Sequence, residues 1–255
     1  MPPSLPDVQT GPRMSLGTRL MNVFTGPGEV FDEVKKGPPS NANWLVPVLL
    51  ICLVGIVATF VIFSQDSILQ QIREQQDRAI EKKLEKLPKE QREQAREIAE
   101  KWTSPALMKL FGSGGTIARA FGSLFLIALV LWLLGTRLFK GSFGYMQAVE
   151  VCGLAGMISV LGGIIRMLLV VVTGSMLATP GPALLIRDLN PSSLTHLLLS
   201  ALNVATIWYA AVLAIGLAKL SGARLARAAG WVFALWALVT GGFTVLGWLG
   251  QRAFT

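Results

Sequence analysis

Residues 44–63 read WLVPVLLICLVGIVATFVIF, a stretch of 20 residues without a charged side chain. As a helix rising about 1.5 Å per residue, this stretch matches the ~30 Å hydrocarbon core of a bilayer. Across all 255 residues, 52% are hydrophobic and only 15% are charged, and the apolar residues fall into long runs. This pattern excludes a disordered or fibrous chain and predicts helices that cross a membrane.

Four more apolar runs follow the first. We predict an all-α polytopic membrane protein, a bundle of five transmembrane helices with a charged helical hairpin between spans one and two. The predicted segments are a tail at 1–43, span one at 44–63, a charged hairpin and loop at 64–118, span two at 119–139, span three at 143–173, a proline-rich loop at 174–195, span four at 196–218 and span five at 226–249.

The segment between spans one and two is the most charged part of the chain, yet it is neutral overall. From Gln65 to Trp102 it holds nine basic and nine acidic residues, with acid-first pairs four residues apart that support a helix. Pro88 interrupts the pattern, which predicts one helix from Asp66 to Leu87 and a second from Pro88 to Lys101. The sparse apolar stripe of this hairpin fits a solvated helical loop, or a face that packs on a partner helix or on the membrane surface.

Two short apolar stripes precede span one. Their apolar positions are Leu16, Leu20, Val23 and Phe24 in the first and Val30, Phe31 and Val34 in the second. Pro27 opens the second stripe and suits a first helical position. We predict amphipathic helices that lie on the membrane interface, with a flexible basic tail as the alternative. The candidate interfacial contact residues are Phe24, Pro27, Phe31 and Trp44.

The distribution of basic residues predicts the orientation. The net charge is +8, and since the hairpin is neutral this excess lies in the tail and the short segments between spans, where Lys and Arg set topology. With the N-terminus inside, nine of these residues are cytoplasmic and two lie outside, or six when the ends of the long charged segment are counted. We therefore predict a cytoplasmic N-terminus and no nucleic-acid partner.

Span three carries two ionisable residues, Glu150 and Arg166. A charged group within a span is costly and is a functional hypothesis by default. The two residues are 16 positions apart, about 24 Å along a helix, so they cannot pair with each other. We expect Glu150 to lie on the cytoplasmic side, near basic residues of the neighbouring loops. Those residues are Arg137, Lys140, Arg224 and Arg227.

Span four carries a polar stripe at three-residue spacing, made of Asn203, Thr206 and Tyr209. In an antiparallel pair of spans Asn203 and Arg166 have similar depths, so a contact between them is geometrically allowed. We interpret the stripe as structural hydrogen bonding between helices rather than as a transport path, because such bonds are common and average only ~0.6 kcal/mol.

The chain has few residues that could act in catalysis or bind a metal. The chain has one histidine, His196, and its two cysteines, Cys52 and Cys152, lie within apolar spans. No motif for a metal, a cofactor or a catalytic nucleophile is present, and an intramembrane hydrolase would have to be built on His196. We therefore predict no catalytic residues, no metal, no cofactor and no enzymatic activity.

Several of these features together resemble the YIP family, membrane proteins named for interaction with Ypt/Rab GTPases. The resemblance rests on an FxxPxxxF-like element at Phe24, Pro27 and Phe31, the entry from Trp44 to Pro47, the five spans and the NVATIWYAAVLAIGL sequence of span four. It implies a five-helix fold with a cytoplasmic N-terminus and no enzymatic activity. The charged insertion and the short tail resemble prokaryotic members, whereas many relatives have Asp where this chain has Asn203.

Two hypotheses for function remain. The first is a non-enzymatic membrane adapter or scaffold of the YIP type, in the bacterial cytoplasmic membrane. Its contacts would be the lipid bilayer and an unidentified protein partner, held through the N-terminal tail or the charged hairpin. The alternative is a small transporter, channel or lipid-handling protein with a polar path involving Glu150, Arg166 and Asn203. Whether the chain forms a homo-oligomer is left open.

Overall fold

The computed structural model describes residues 14–85, 88–102, 105–176, 178–186 and 193–253, and these residues form helices joined by short connections. The helices are α1 (Leu16–Asn22), α2 (Pro27–Lys36), α3 (Ala42–Ile62), α4 (Asp66–Glu85), α5 (Lys89–Trp102), α6 (Pro105–Leu133, continued as a π-helical turn over Leu134–Leu138), α7 (Tyr145–Thr173), α8 (Leu194–Ala201), α9 (Val204–Ser221) and α10 (Leu225–Ala253), with a 3-10 turn at Pro182–Leu185.

Within the described ranges, five helices are long and apolar enough to cross a membrane. They are Ala42–Ile62, Ala106–Leu138, Tyr145–Thr173, Val204–Ser221 and Leu225–Gly250. The predicted all-α bundle of five spans is therefore confirmed. The bundle has two ends, which we name by what they carry: the tail end holds α1, α2 and the start of α3, and the hairpin end holds α4 and α5.

The second span is longer than the predicted 119–139. The sequence before Arg119 contains Gly-Ser-Gly-Gly at 112–115, which suggests a turn, but the structure continues α6 through it. The reason is close packing on α3: a Cβ atom at Gly112 would lie 3.1 Å from the Thr59 methyl group. Tertiary contact thus overrides the weak helix propensity of glycine.

The predicted span at 196–218 is divided into α8 and α9. Asn203 is the cap of α9, and its side-chain Oδ1 accepts a hydrogen bond from the amide of Ala205 at 2.8 Å. The amide of Val204 donates to the carbonyl of Pro180 at 2.9 Å, so the connection between the two helices is fixed to the preceding loop. An asparagine cap is a common helix start, which explains the break at this residue.

Helix α7 lies at the centre of the bundle. From Ala148 to Ile158 all of its residues are buried except Met157, which is partly exposed. It packs on α3, α6 and α9, while α10 packs on α9. At the contact with α3, a Cβ atom at Gly153 would lie only 2.3 Å from the Cα of Trp44, so only glycine fits there.

The described part of the tail packs on the bundle. Val23, Val30 and Phe31 are fully buried, and Phe31 lies against Gly216 of α9. The helix start predicted at Pro27 is where α2 begins, and its apolar face contacts α7 and α9. Neighbouring helices therefore cover this face, while the placement of α2 at the membrane interface stays a prediction. Residues 1–13 of the tail lie outside the described residues.

The charged hairpin consists of α4 and α5, which contact each other. Its base is attached to the bundle, because Ile68 is fully buried in a small cluster with Val170 and Ala178. The side chain of Gln71 also donates to the carbonyl of Gly174 at 2.8 Å. The predicted helix end at Leu87 lies outside the described residues.

Candidate functional site

Two sites hold the polar residues that the sequence singles out, one at each end of the bundle. At the tail end, Glu150 is only 1% exposed and its carboxylate accepts two hydrogen bonds. One comes from the side-chain amide of Asn43 at 2.5 Å and the other from the backbone amide of Ser40 at 3.0 Å. A buried carboxylate needs such donors, since burying an unpaired charge is far more costly.

The network continues outward to the tail. Arg19 of α1 donates to the Oδ1 atom of Asn43 at 3.3 Å and to Glu33 of α2 at 3.1 Å. Glu33 in turn accepts from the amide of Met14 at 2.9 Å. We name these residues, together with Ser40 and Glu150, the tail network. It connects α1, α2, the start of α3 and α7 in one set of hydrogen bonds.

Glu150 accepts its hydrogen bonds from groups other than the basic residues near which we expect it. Its hydrogen bonds come from Asn43 and Ser40, whereas Arg227 lies over the ring of Phe139, 5.1 Å from the ring centre. The sequence offered Arg137, Lys140 and Arg224 as well, because they are the basic residues of the adjacent loops. The donors instead come from Ser40, just before α3, and from Asn43, in its first turn, which the fold brings beside α7.

Helix α2 is fixed by further polar contacts at the same end. Lys219 of α9 forms an ion pair with Asp32 at 2.6 Å, and the side chain of Lys35 donates to the carbonyl of Lys219 at 2.8 Å. Gln147 donates to the carbonyls of Val34 and Lys35, at 3.2 and 3.1 Å. Carbonyls in the last turn of a helix lack partners within it, so Gln147 satisfies the end of α2.

The candidate contact residues of the tail end are distributed around this network. Phe24 packs edge-on against Trp208, with ring centres 5.8 Å apart, and Phe31 is fully buried. Trp44 packs edge-on against Phe125, and its indole N–H donates to Asn41. Pro27 occupies the first turn of α2. Phe24 and Phe31 therefore join the tail to α9, whereas Trp44 joins α3 to α6.

The second site is a cavity of about 760 Å³ between α3, α6, α7 and the start of α9. It brings together four of the residues predicted from the sequence, namely Arg166, Asn203, Thr206 and Tyr209, whereas Glu150 is not among its lining residues. Arg166 donates to the carbonyl of Met176 at 3.2 Å, and Asn203 caps α9. Arg166 and Asn203 thus share the cavity but bond to different groups.

Three residues of these sites have roles that the sequence analysis does not assign. Asn43 is a polar residue one position before the apolar run and is 1% exposed in the fold. Ser40 acts through its backbone. Arg119 reads as the end of a span whose side chain reaches the interface, yet it lines the cavity beside Arg166. Only the polarity of Asn43 at a span entry could have indicated its role.

Neither site has the composition of a metal centre. Among the described residues, no three His, Cys, Asp or Glu side chains lie close enough together to hold a metal ion. Cys52 and Cys152 are free thiols buried within the bundle. The tail network is a set of satisfied hydrogen bonds, and the cavity is an apolar space with two cationic groups at its wall.

The bundle of five spans defines the chain as a multi-pass helical membrane protein. The family model of the Yip1 domain matches residues 21–246, which include the end of α1 from Met21, the hairpin, the first four spans and most of the fifth. The chain therefore belongs to the Yip1 domain family. No curated protein and no solved structure matched the chain.

Proposed function

We propose that this protein is a non-enzymatic adapter of a bacterial cytoplasmic membrane, which presents its charged hairpin to a protein partner. One observation carries the proposal: the hairpin is attached at its base and exposed beyond it. Ile68 is fully buried, whereas Glu90, Glu93, Gln94 and Glu97 of α5 are exposed. A surface that is held at one fixed place and covered with charges suits recognition of a complementary partner.

The hairpin is a better candidate for partner binding than the tail. The apolar face of α2 is already buried against α7 and α9, so α2 has little apolar surface left to offer. In α5, Ile98 is 55% exposed beside the charged positions. An exposed apolar side chain among polar neighbours suits an interface that has an apolar core and a polar rim.

The orientation in this proposal follows from charge. Lys35 and Lys36 in the last turn of α2, Lys219 in the last turn of α9 and Arg224 between α9 and α10 all lie at the tail end. Basic residues near span ends favour the cytoplasmic side. The tail end would then be cytoplasmic, and the hairpin would face the opposite side of the membrane.

Site-specific photo-crosslinking in native membranes tests the partner. A photoreactive residue at Gln94, which is exposed on α5, should yield a discrete adduct with one protein. The matched control is Leu185, which is 88% exposed in the loop between α7 and α8 and should yield none. If positions throughout α4 and α5 give no more adducts than Leu185, the adapter proposal fails.

Cysteine labelling tests the orientation separately. After Cys52→Ala and Cys152→Ala, a single Gln94→Cys variant should react with a membrane-impermeant thiol reagent in intact cells. Protection until the cells are lysed would place the hairpin in the cytoplasm and reverse the proposed topology.

A transport function remains the second candidate, since Arg166 and Asn203 share one cavity. Glu150 does not line this cavity, so a transport path that included it would also have to cross the tail network. Replacing Arg166 by Leu should abolish flux into liposomes if the cavity conducts a solute, whereas unchanged flux would exclude this candidate.

A further inference from the structure

The cavity between α3, α6 and α7 has the dimensions of a lipid site. On α3 its lining runs from Val48 to Phe63, about 22 Å at 1.5 Å per residue. One leaflet of a ~30 Å hydrocarbon core is about 15 Å deep. The cavity is therefore long enough for an acyl chain, and its volume of about 760 Å³ lies within the range of ligand pockets.

The charge at its wall is unbalanced. Arg119 of α6 and Arg166 of α7 both line the cavity, and their like charges act on each other. The described residues that line the cavity include no aspartate or glutamate. The Arg166 guanidinium has five N–H donors, and the structure assigns one hydrogen bond to them, to the carbonyl of Met176.

Two like charges in a region of low dielectric constant favour the binding of an anion between them. A guanidinium group presents a planar pair of donors that matches a phosphate, and such charge-assisted hydrogen bonds are strong. The hydroxyl groups of Ser159 and Tyr209 also line the cavity and have no hydrogen-bond partner among the described residues. The cavity thus has donor groups on at least these four side chains and no aspartate or glutamate among its described lining residues.

Apart from these groups, the wall is mostly apolar and partly made of glycine. At Gly115 of α6, which lines the cavity, a Cβ atom would meet no other atom within 4 Å. The space beside it is therefore open, and hydrocarbon fits such a surface better than a polar solute does. A ligand for this cavity needs both an anionic group and an apolar chain.

We infer that the cavity binds an anionic phospholipid, with the phosphate between Arg119 and Arg166 and one acyl chain along α3 and α6. Charge complementarity selects the headgroup and the length of the cavity selects the chain. This lipid site stands independently of the adapter function, since it involves neither the exposed face of α5 nor the tail network.

Native mass spectrometry of the full-length protein in a mild detergent tests the inference. The protein is mixed with phosphatidylglycerol or with phosphatidylcholine of the same acyl chains, and the retained lipid is counted. We expect about tenfold tighter retention of phosphatidylglycerol, a difference that a single charge-assisted hydrogen bond can supply. Inorganic phosphate at the lipid concentration should not displace it, because the ion lacks the acyl chain.

Variants in the charged wall separate the site from general electrostatic attraction. Arg119→Gln with Arg166→Gln should abolish the preference for phosphatidylglycerol. Arg137→Gln is the matched control, because Arg137 is exposed at the opposite end of the same span and does not line the cavity. It should retain the full preference.

A second pair of variants blocks the cavity without changing its charge. Gly115→Leu places a side chain in the open space, whereas Gly114→Leu adds the same side chain one residue away, outside the lining and equally free of contacts. Only Gly115→Leu should reduce lipid retention. This pair also keeps the test decisive if the double arginine variant does not fold.

Three results would overturn the inference. They are equal retention of the two lipids by the unaltered protein, displacement of the lipid by inorganic phosphate, and equal loss of retention in Gly114→Leu and Gly115→Leu. Failure of the crosslinking experiment at Gln94 would leave the lipid result unchanged, so the two proposals fail independently.

Discussion

Glu150 and Arg166 lie 16 residues apart on α7 and meet opposite surroundings. Glu150 is 1% exposed and is surrounded by donors from the start of α3, with the tail closed over it. Arg166 is exposed along the wall of a cavity and has a backbone carbonyl as its hydrogen-bond acceptor. One helix therefore carries two different ionisable groups. Glu150, at the tail end, has hydrogen-bond partners for its carboxylate, whereas Arg166, at the hairpin end, uses one of its five N–H donors.

The comparison separates structural from ligand-binding roles within a membrane span. An ionisable group with its hydrogen bonds complete stabilises the fold, and its replacement should cost stability. A group that faces open space contributes little to stability and is available to a ligand. The following substitutions test this difference in matched pairs, one member at each end of the bundle.

The largest effect is expected for Phe31→Ala at the tail end. Phe31 is fully buried against α9, so its removal leaves a cavity and should lower the free energy of unfolding by about 3–5 kcal/mol. Phe60→Ala, on a side chain 50% exposed near the hairpin end, should cost less than about 1 kcal/mol. Denaturant titration in mixed micelles measures both, and equal losses would contradict the tight packing of α2.

The second pair compares two glycines. Gly153→Ala should destabilise the protein by about 3 kcal/mol, because a Cβ atom there would lie 2.3 Å from the backbone of Trp44. Gly115→Ala meets no atom and should stabilise α6 by up to about 1 kcal/mol, since alanine is the better helix former. The same titration gives both values. A stable Gly153→Ala variant would show that α3 and α7 can separate.

The third pair replaces the two ionisable residues themselves. Glu150→Ala leaves the amides of Asn43 and Ser40 buried without an acceptor, which should cost about 2–3 kcal/mol. Arg166→Ala should cost less than about 1 kcal/mol, because its exposed side chain makes one hydrogen bond to a carbonyl. Glu150→Gln, which keeps an acceptor oxygen, should fall between them. Thermal unfolding in one detergent ranks the three variants.

The sequence predicts the parts of this fold that depend on apolar runs and on residues typical of helix starts. Long apolar stretches predict the five spans, and the position of Pro27 coincides with the start of α2. Such signals are local because each span satisfies its own backbone hydrogen bonds in lipid, whatever its neighbours are.

The contacts between distant residues could not be predicted in this way. Asn43 and Glu150 are separated by 107 residues, and nothing in either segment identifies the other. The cavity likewise depends on how α3, α6 and α7 diverge, which one sequence does not encode as a pattern. The break before α9 was missed because Asn203 reads as a polar residue within a span, whereas its side chain caps the helix.

The smallest effect is expected for the ion pair between Asp32 and Lys219, which fixes the outer face of α2. Both side chains are 40% exposed, so solvent screens the 2.6 Å contact and a double-mutant cycle with Asp32→Asn and Lys219→Met should give less than about 1 kcal/mol. In 1 M salt, where the screening length is about 3 Å, the coupling should fall toward zero. A coupling above 2 kcal/mol that resists salt would mean that charge rather than the apolar face of Phe31 holds the tail on the bundle.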